Sequence, residues 1–280
     1  MGDLATDTAV EALGDGRYRG TLHQAWEIWG PMGGYVASVA LRAAGVEATT
    51  GGATARRPAA FSCHYLGVGA FGPVDVRVEL RKPGRAALAH RVELSQDGRA
   101  ILDAMVWSVD ASEGLEHDEL PAPEVPGPGE LADMRDLIPE DRLPPFAFWD
   151  NVDARPVDHI DPWPPEGPLP ARWREWLRFR PTAAWDDPWV DACRSVILVD
   201  LPSWPAGSRP HAWSQPAYIA PTLDLNVAFH RPTSAHDWLL CDGAAPVSTG
   251  GLLNWNARVW SPEGGLHASG GGQCLYRRTN

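Results

Sequence analysis

Pro221-Thr222-Leu223-Asp224-Leu225-Asn226-Val227-Ala228-Phe229-His230-Arg231-Pro232 leads into Asp237-Trp238-Leu239-Leu240, a turn at Glu263-Gly264-Gly265, and the closing run Gly270-Gly271-Gly272-Gln273-Cys274-Leu275-Tyr276. These segments read as β-strands that set Thr222 and Gln273 among apolar neighbours. A Thr in a strand is ordinary, because β-branched residues favour strands. A Gln beside three glycines is less so, since glycines weaken a strand and mark the close approach of a ligand or another backbone.

Upstream, the order helix-then-strands occurs twice. In the first half the glycine-rich stretch Trp29-Gly30-Pro31-Met32-Gly33-Gly34 opens a helix over Gly34–Ala44, built from small, helix-favouring side chains, with Gly45 expected to close it. Val74, Val76, Val78 and Leu80 then alternate with Asp75, Arg77, Glu79 and Arg81, the period of two of a half-buried strand. Lys82-Pro83-Gly84 is a turn. Ala87–Leu94 and Ile101–Val109 form a hairpin about Asp97-Gly98.

The stretch 113–145, rich in Pro, Gly, Glu and Asp, reads as a crossing linker without elements of its own. A second proline-rich loop follows, with Pro162, Pro164, Pro165, Pro168 and Pro170. In the second half Arg172–Phe179 reads as a strand. Asp187-Pro188 starts a helix, with Asp as N-cap and Pro at the first helical position. That helix runs over Pro188–Val199 towards Asp200, and Pro202 stops it. Strands follow around Leu223–Phe229, Trp238–Leu240, Leu253–Trp260 and His267–Tyr276. Two helix-plus-antiparallel-sheet units define an α+β architecture with helices on one sheet face.

Composition narrows the function. The 280 residues carry a net charge of −12, whereas phosphate binding needs clustered Lys and Arg, so nucleic acid is not an expected partner. The chain is 44% hydrophobic, enough for a sizeable core, yet no apolar run reaches membrane-span length. The N-terminal residues are acidic and lack an apolar signal core. The cysteines Cys63, Cys193, Cys241 and Cys274 are scattered, with no CxxC pair, which suits a reducing cytoplasm. The 14 Trp read as large core fillers; a sharper reading has some of them lining an apolar or aromatic pocket.

Asp200 stands out as a candidate for chemistry. Helical spacing puts Trp189, Cys193, Val196 and Asp200 on one face, which makes Asp200 a carboxylate on an apolar side. A buried carboxylate needs a partner or a role. The alternative reading is a solvated Asp at a helix C-terminus.

Over most of its length the chain resembles the acyl-CoA thioesterase II family. The matching segments are Gly33-Gly34 at the first helix, Arg57-Pro58-Ala59-Ala60-Phe61-Ser62-Cys63-His64-Tyr65-Leu66 in the first long strand, Asp200, Pro221-Thr222-Leu223-Asp224, Phe229-His230-Arg231-Pro232 and the last strand. The resemblance implies a double hotdog fold, with an N-terminal hotdog over 1–112, the linker at 113–145 and a C-terminal hotdog over 146–280. It implies hydrolysis of an acyl-CoA or acyl-carrier thioester by a water held by Asp200, Thr222 and Gln273, without cofactor or metal. Gly33, Gly34, His64 and Tyr65 fall on the substrate-binding side, and the helix start at Gly33-Gly34 is placed to polarise the thioester carbonyl. A homo-oligomer is also implied.

The departures are specific. The first His of the family's His-Ser-x-His is Phe61 here, and Asp-His-Ser is replaced by Asp224-Leu225-Asn226. The family's Gln stands three residues after an Ala-Ser pair, whereas Gln273 stands four after Ala268-Ser269. A one-residue shift turns a strand side chain to the other face unless a glycine bulge restores it. Otherwise Gly272 takes the family position.

Other constellations carry less. Gly67-Val68-Gly69-Ala70-Phe71-Gly72 spells GxGxxG but precedes a strand, not a helix. No GxSxG elbow occurs. Cys63 and His64 are adjacent in a strand and point to opposite faces. His230, His236 and Cys241 lack metal spacing. A biosynthetic hotdog enzyme acting on a carrier-protein-bound or CoA-bound acyl group, thioesterase or dehydratase, and a non-catalytic acyl-binding hotdog stand as alternatives; a dehydratase usually uses a His with an acid, and the binding protein needs no aligned Asp, Thr and Gln.

Overall fold

Residues 1–50, 56–139, 141, 145–161, 165–181, 185–211 and 218–278 are described in the computed structural model. Pro162 and Pro164 of the second proline-rich loop lie outside these residues. In chain order the first half holds α1 (Leu4–Asp7), β1 (Glu11–Gly14), β2 (Arg17–Leu22), α2 (Gly33–Thr49), β3 (Arg57–Tyr65), β4 (Gly72–Lys82), β5 (Ala87–Gln96) and β6 (Arg99–Val109). After α3 (Met134–Leu137) come β7 (Val152–Pro156), β8 (Arg172–Phe179), α4 (Pro188–Asp200), α5 (Ser203–Ser208), β9 (Tyr218–Ile219), β10 (Thr222–Phe229), β11 (Trp238–Thr249), β12 (Leu252–Trp260), β13 (Leu266–Leu275) and β14 (Arg277–Arg278).

Twelve strands form one antiparallel sheet in the order β1-β2-β4-β5-β6-β3-β10-β13-β12-β11-β8-β7. The order is symmetric about its centre. β2, β3, β4, β5 and β6 correspond to β8, β10, β11, β12 and β13, and the two units meet where β3 pairs with β10. Each unit wraps its strands around one long helix, so the chain is α+β, as the repeated element order implies, and a double hotdog, as the resemblance implies. The hairpin turn at Asp97-Gly98 is confirmed by positive φ at both residues, 50° and 74°. The strands β1, β2 and β7 were not read from the sequence, although Tyr18, Gly20 and Leu22 alternate as buried with exposed neighbours along β2.

The two long helices differ from expectation in informative ways. α2 does not stop at Gly45 but continues to Thr49. A Cβ at Gly45 would lie 2.5 Å from the Trp189 ring of α4, so this glycine serves packing rather than capping. At the other end of the seam a Cβ on Gly34 would lie 2.9 Å from Ile197 Cα. Between them the Cys193 thiol donates to Ser38 O at 3.8 Å. The helices therefore run antiparallel, brought together at small side chains. α4 begins as read, with the Asp187 side chain accepting from Trp189 N at 2.8 Å. It is not one-sided, however: every residue from Trp189 to Asp200 is buried, because the helix lies between α2 and the sheet.

A buried ionic cluster holds α4 in place. Arg194, wholly inaccessible, donates to Asp191 Oδ1 at 2.6 Å, Thr233 Oγ1 at 2.8 Å and His236 O at 2.8 Å. Thr233 N donates to Asp191 Oδ2 at 2.7 Å. The Phe229-His230-Arg231-Pro232 segment thus leads into a loop bonded to the middle of α4. Its Arg231 pairs with Asp118 at 2.7 Å. That contact belongs to a wider correction. The 113–145 stretch is not a free spacer: it contains α3, and Ala122, Val125 and Leu131 pack on Trp176, Leu240 and Trp260.

Gly→Ala in a helix interior ordinarily stabilises, by about 0.5–1 kcal/mol. Gly45→Ala is expected to do the reverse, losing about 1–3 kcal/mol by driving a methyl into the Trp189 ring. Urea denaturation of the two proteins measures this.

Candidate active site

The C-terminal end of α4 meets the N-terminal end of α2, and the contact is chemical. Asp200 Oδ2 accepts a hydrogen bond from Gly34 N at 2.7 Å, and Asp200 Oδ1 accepts from Thr222 Oγ1 at 3.4 Å. The carboxylate is 6% exposed. Burial pushes its pKa up to about 6, against the lowering pull of the Gly34 and Thr222 hydrogen bonds. The functional reading of Asp200 as a buried carboxylate therefore fits its surroundings better than a solvated helix end.

Thr222 reaches Asp200 because of a β-bulge. Thr222 pairs with Cys274, but Asp224 pairs with Gln273, so β10 has one residue more than β13 at this point. Without the extra residue Thr222 would share a face with Asp224. With it, Thr222 lies on the helix-facing side together with Cys274, whose thiol donates to Thr222 Oγ1 at 3.9 Å. Burial, then the nearby Asp200 charge, push the Cys274 thiol up to about 12.

Gln273 goes the other way. It is exposed, its N donates to Asp224 Oδ1 at 3.2 Å, and it lines an open groove on the outer sheet face with Asp224, Asn226 and Asn254. From Asp224 to Phe229 the pairing of β10 with β13 is regular, so no glycine bulge restores its direction. Gly272 takes the helix-facing position. A Cβ there would lie 2.0 Å from Asp224 O and 2.9 Å from Trp255 Cη2. The Trp255 indole covers that spot, with Nε1 donating to Val199 O at 2.8 Å. The glycine run thus marks close approach of an indole and of α4, where a Cβ on Gly270 would lie 3.0 Å from Val199 Cγ1.

His64 also departs from the expected grouping. It is exposed on the outer face and pairs in register with Asp224 and Asp103. Its neighbour Tyr65 faces inward. A Cβ at Gly33 would lie 3.1 Å from Asp200 Oδ2 and 3.2 Å from Tyr65 Oη, so these two oxygens flank the same point at the start of α2. The structure therefore brings together Asp200, Thr222, Gly33, Gly34 and Tyr65, and leaves Gln273 and His64 outside. Cys274 was missed as a site neighbour. Its signal was parity: it stands one residue beyond Gln273, on the opposite face. Among the described residues no cluster of three or more His, Cys, Asp or Glu could hold a metal ion, and no helix is long and apolar enough to cross a membrane.

A carboxylate titrating near neutrality, beside a hydroxyl and a helix N-terminus, is an arrangement able to activate water next to a polarised carbonyl. Comparison with known proteins identifies the family. Residues 22–109 match the acyl-CoA thioesterase N-terminal domain, and residues 120–271 match the acyl-CoA thioesterase C-terminal domain. The chain belongs to the acyl-CoA thioesterase family. Human acyl-coenzyme A thioesterase 8 is 25% identical over 208 residues, which cover 69% of this chain and 65% of that protein, just under two thirds of its length. The acyl-CoA thioesterase II TesB2 of Mycobacterium marinum superposes with a TM-score of 0.78 at 24% identity, covering 99% of both chains. A hot dog protein from Alicyclobacillus acidocaldarius gives 0.78 at 18% identity, covering 99% of this chain and 98% of the other. At these identities the solved structures speak for the fold.

The raised pKa of Asp200 has a consequence for stability. Between the ordinary 3.8 and about 6 the folded carboxyl keeps a proton that the unfolded chain has released. Raising the pH through that window therefore lowers stability, by on the order of 2–3 kcal/mol, and the loss levels off above it. Asp200→Asn is expected to remove this component, so the mutant gains on the unmutated protein as pH rises from 4 to 7. Denaturant midpoints across that range test it.

Proposed function

We propose that this chain hydrolyses an acyl thioester of the acyl-CoA type to a free acid and a thiol. The observation that carries the proposal is the buried Asp200 carboxylate, held by Gly34 N–H and the Thr222 hydroxyl, with its pKa raised to about 6. Water adds to the thioester carbonyl carbon and gives its proton to Asp200. The carbonyl π electrons move to oxygen. Collapse of that oxyanion expels the thiolate, which takes the proton back from Asp200. Thr222 orients the carboxylate through its 3.4 Å hydrogen bond.

The expectation that Gly33-Gly34 polarises the carbonyl needs a correction. Gly34 N–H is already bonded to Asp200 Oδ2. Gly33, whose N–H at the first helical position has no intrahelical acceptor, remains to serve from that turn.

The substrate is a CoA thioester in this reading, with a carrier-protein thioester as the variant that the same chemistry would also accept. We place the protein in the cytoplasm, where all four cysteines, buried and free, meet no oxidant. Oligomer formation is part of the same proposal, in line with the implied homo-oligomer.

The test is thiol release from the CoA thioesters of acetate, octanoate, palmitate and benzoate. On the best of these, kcat/KM is expected to rise with pH and level off above about 6, because the base must be ionised. Asp200→Asn should keep the fold and lose roughly 10²-fold or more of turnover, since Asn cannot accept the proton. Gln273→Ala should stay within about two-fold of the unmutated protein. Turnover by a folded Asp200→Asn protein at the normal rate would remove Asp200 from the mechanism. No turnover on any of the four thioesters would put the acyl-binding reading first.

A further inference from the structure

The donors around Asp200 are nearly all spent. Gly34 N–H and the Thr222 hydroxyl donate to its two carboxylate oxygens, and the Cys274 thiol donates to Thr222. The Tyr65 hydroxyl is different. Its oxygen is buried and, among the described residues, meets no hydrogen-bond partner of good geometry; the Cys63 thiol of the same strand face is its polar neighbour. It stands beside Asp200 Oδ2 about the point where a Gly33 side chain would begin, 3.2 Å from the Cβ position. A buried hydroxyl without a partner costs stability, and such a group in a folded protein calls for an explanation.

The geometry points to Tyr65 as the donor to the thioester carbonyl oxygen: its hydroxyl holds the oxyanion while Asp200 handles the water. This rests on the hydrolase reading above. It also fits the two shortfalls of the site, because Gln273 lies on the outer face and Gly34 N–H is occupied by Asp200. No side chain at position 272 can take the place of Gln273, since a Cβ at the helix-facing Gly272 would lie 2.0 Å from Asp224 O.

The position of Tyr65 is set by strand parity. Phe61, Cys63 and Tyr65 share the inner face of β3, with Phe61 and Cys63 buried in the core. β3 pairs with β10 at the centre of the sheet, so a residue of the first unit is delivered beside Asp200 and Thr222 of the second. Burial, then the neighbouring Cys63 and Asp200, hold the phenol pKa well above its ordinary value. The hydroxyl therefore stays protonated, as a donor must. In the reaction it keeps its own proton throughout; only its hydrogen bond strengthens as charge develops on the carbonyl oxygen.

Tyr65→Phe is the test, because it removes one oxygen and leaves the ring. Removing an oxyanion donor is expected to lower kcat roughly 10²-fold, with KM little changed. The melting temperature should hold or rise, since an unsatisfied hydroxyl has been deleted. A structural role predicts the opposite pair of results. Turnover of Tyr65→Phe within about two-fold of the unmutated protein, with Asp200→Asn inactive, overturns the role of Tyr65 and leaves the hydrolase intact.

Binding separates the two proposals. A ketone analogue of octanoyl-CoA, with CH₂ in place of sulfur, keeps the carbonyl; the octyl thioether of CoA lacks it. Tyr65→Phe should weaken the ketone about ten-fold and leave the thioether unchanged. That pattern in a protein with no hydrolysis would sink the hydrolase reading alone. Equal effects on both analogues, or none, would sink the carbonyl contact.

Discussion

The rest of the structure depends on the close antiparallel packing of α2 on α4. A Cβ on Gly34 would meet Ile197 Cα at 2.9 Å, and one on Gly45 would meet the Trp189 ring at 2.5 Å. Only glycine at both ends lets the helices come this near. The proximity allows Gly34 N–H to reach Asp200 Oδ2 at 2.7 Å. One hydrogen bond thus ties the start of the first unit's helix to the end of the second unit's helix. It meets an otherwise unpaired N–H of the first turn and lets the positive end of α2 face a negative charge. Burial of that charge works against both gains, which is why the carboxyl titrates near 6 rather than at its ordinary 3.8.

The sheet completes what the helices begin. β3 and β10, the innermost strands of the two units, pair at its centre and carry Tyr65 and Thr222 toward Asp200. A single extra residue in β10 turns Thr222 inward. On the other flank of β10, Gly270 and Gly272 leave room for Val199 and the Trp255 indole, so α4 sits low on the sheet. The site is assembled at the junction of the two units, and neither unit alone contains it.

Holding Asp200 there has a structural cost that is met elsewhere. The buried Asp191–Arg194 pair with Thr233 secures the middle of α4, and the Arg194 guanidinium stacks on Trp185 at 4.4 Å. Every charged atom in such a cluster needs partners, since breaking a buried pair leaves an uncompensated charge. Here the loop after Phe229-His230-Arg231-Pro232 supplies Thr233 to both members of the pair and His236 O to Arg194. The segment that looked most like a family signature therefore leads into the clamp on the helix that presents the carboxylate, while its own Arg231 pairs with Asp118 and its His230 with Ser269.

Much was legible in the chain. Alternation at Val74–Leu80, the Asp97-Gly98 turn and the Asp187-Pro188 helix start are local signals, and local backbone preferences determine them. The repeated order of helix and strands carried the two-unit α+β plan, the family resemblance carried the double hotdog, and spacing along α4 marked Asp200 before any contact was known. What local signals could not decide was anything set by packing. Gly45 has the character of a helix terminator, yet the Trp189 ring makes it an interior glycine. The proline-rich 113–145 stretch has linker composition, yet it covers Trp176 and Trp260. The direction of Gln273 depended on whether β13 bulged between Ala268 and Gln273; at this level the bulge lies instead in β10, where it serves Thr222. Strand parity is a count of residues, readable from the sequence only when every bulge is known. Bulges arise from pairing with neighbouring strands, so tertiary structure alone decided that Tyr65 faces Asp200 and Gln273 does not.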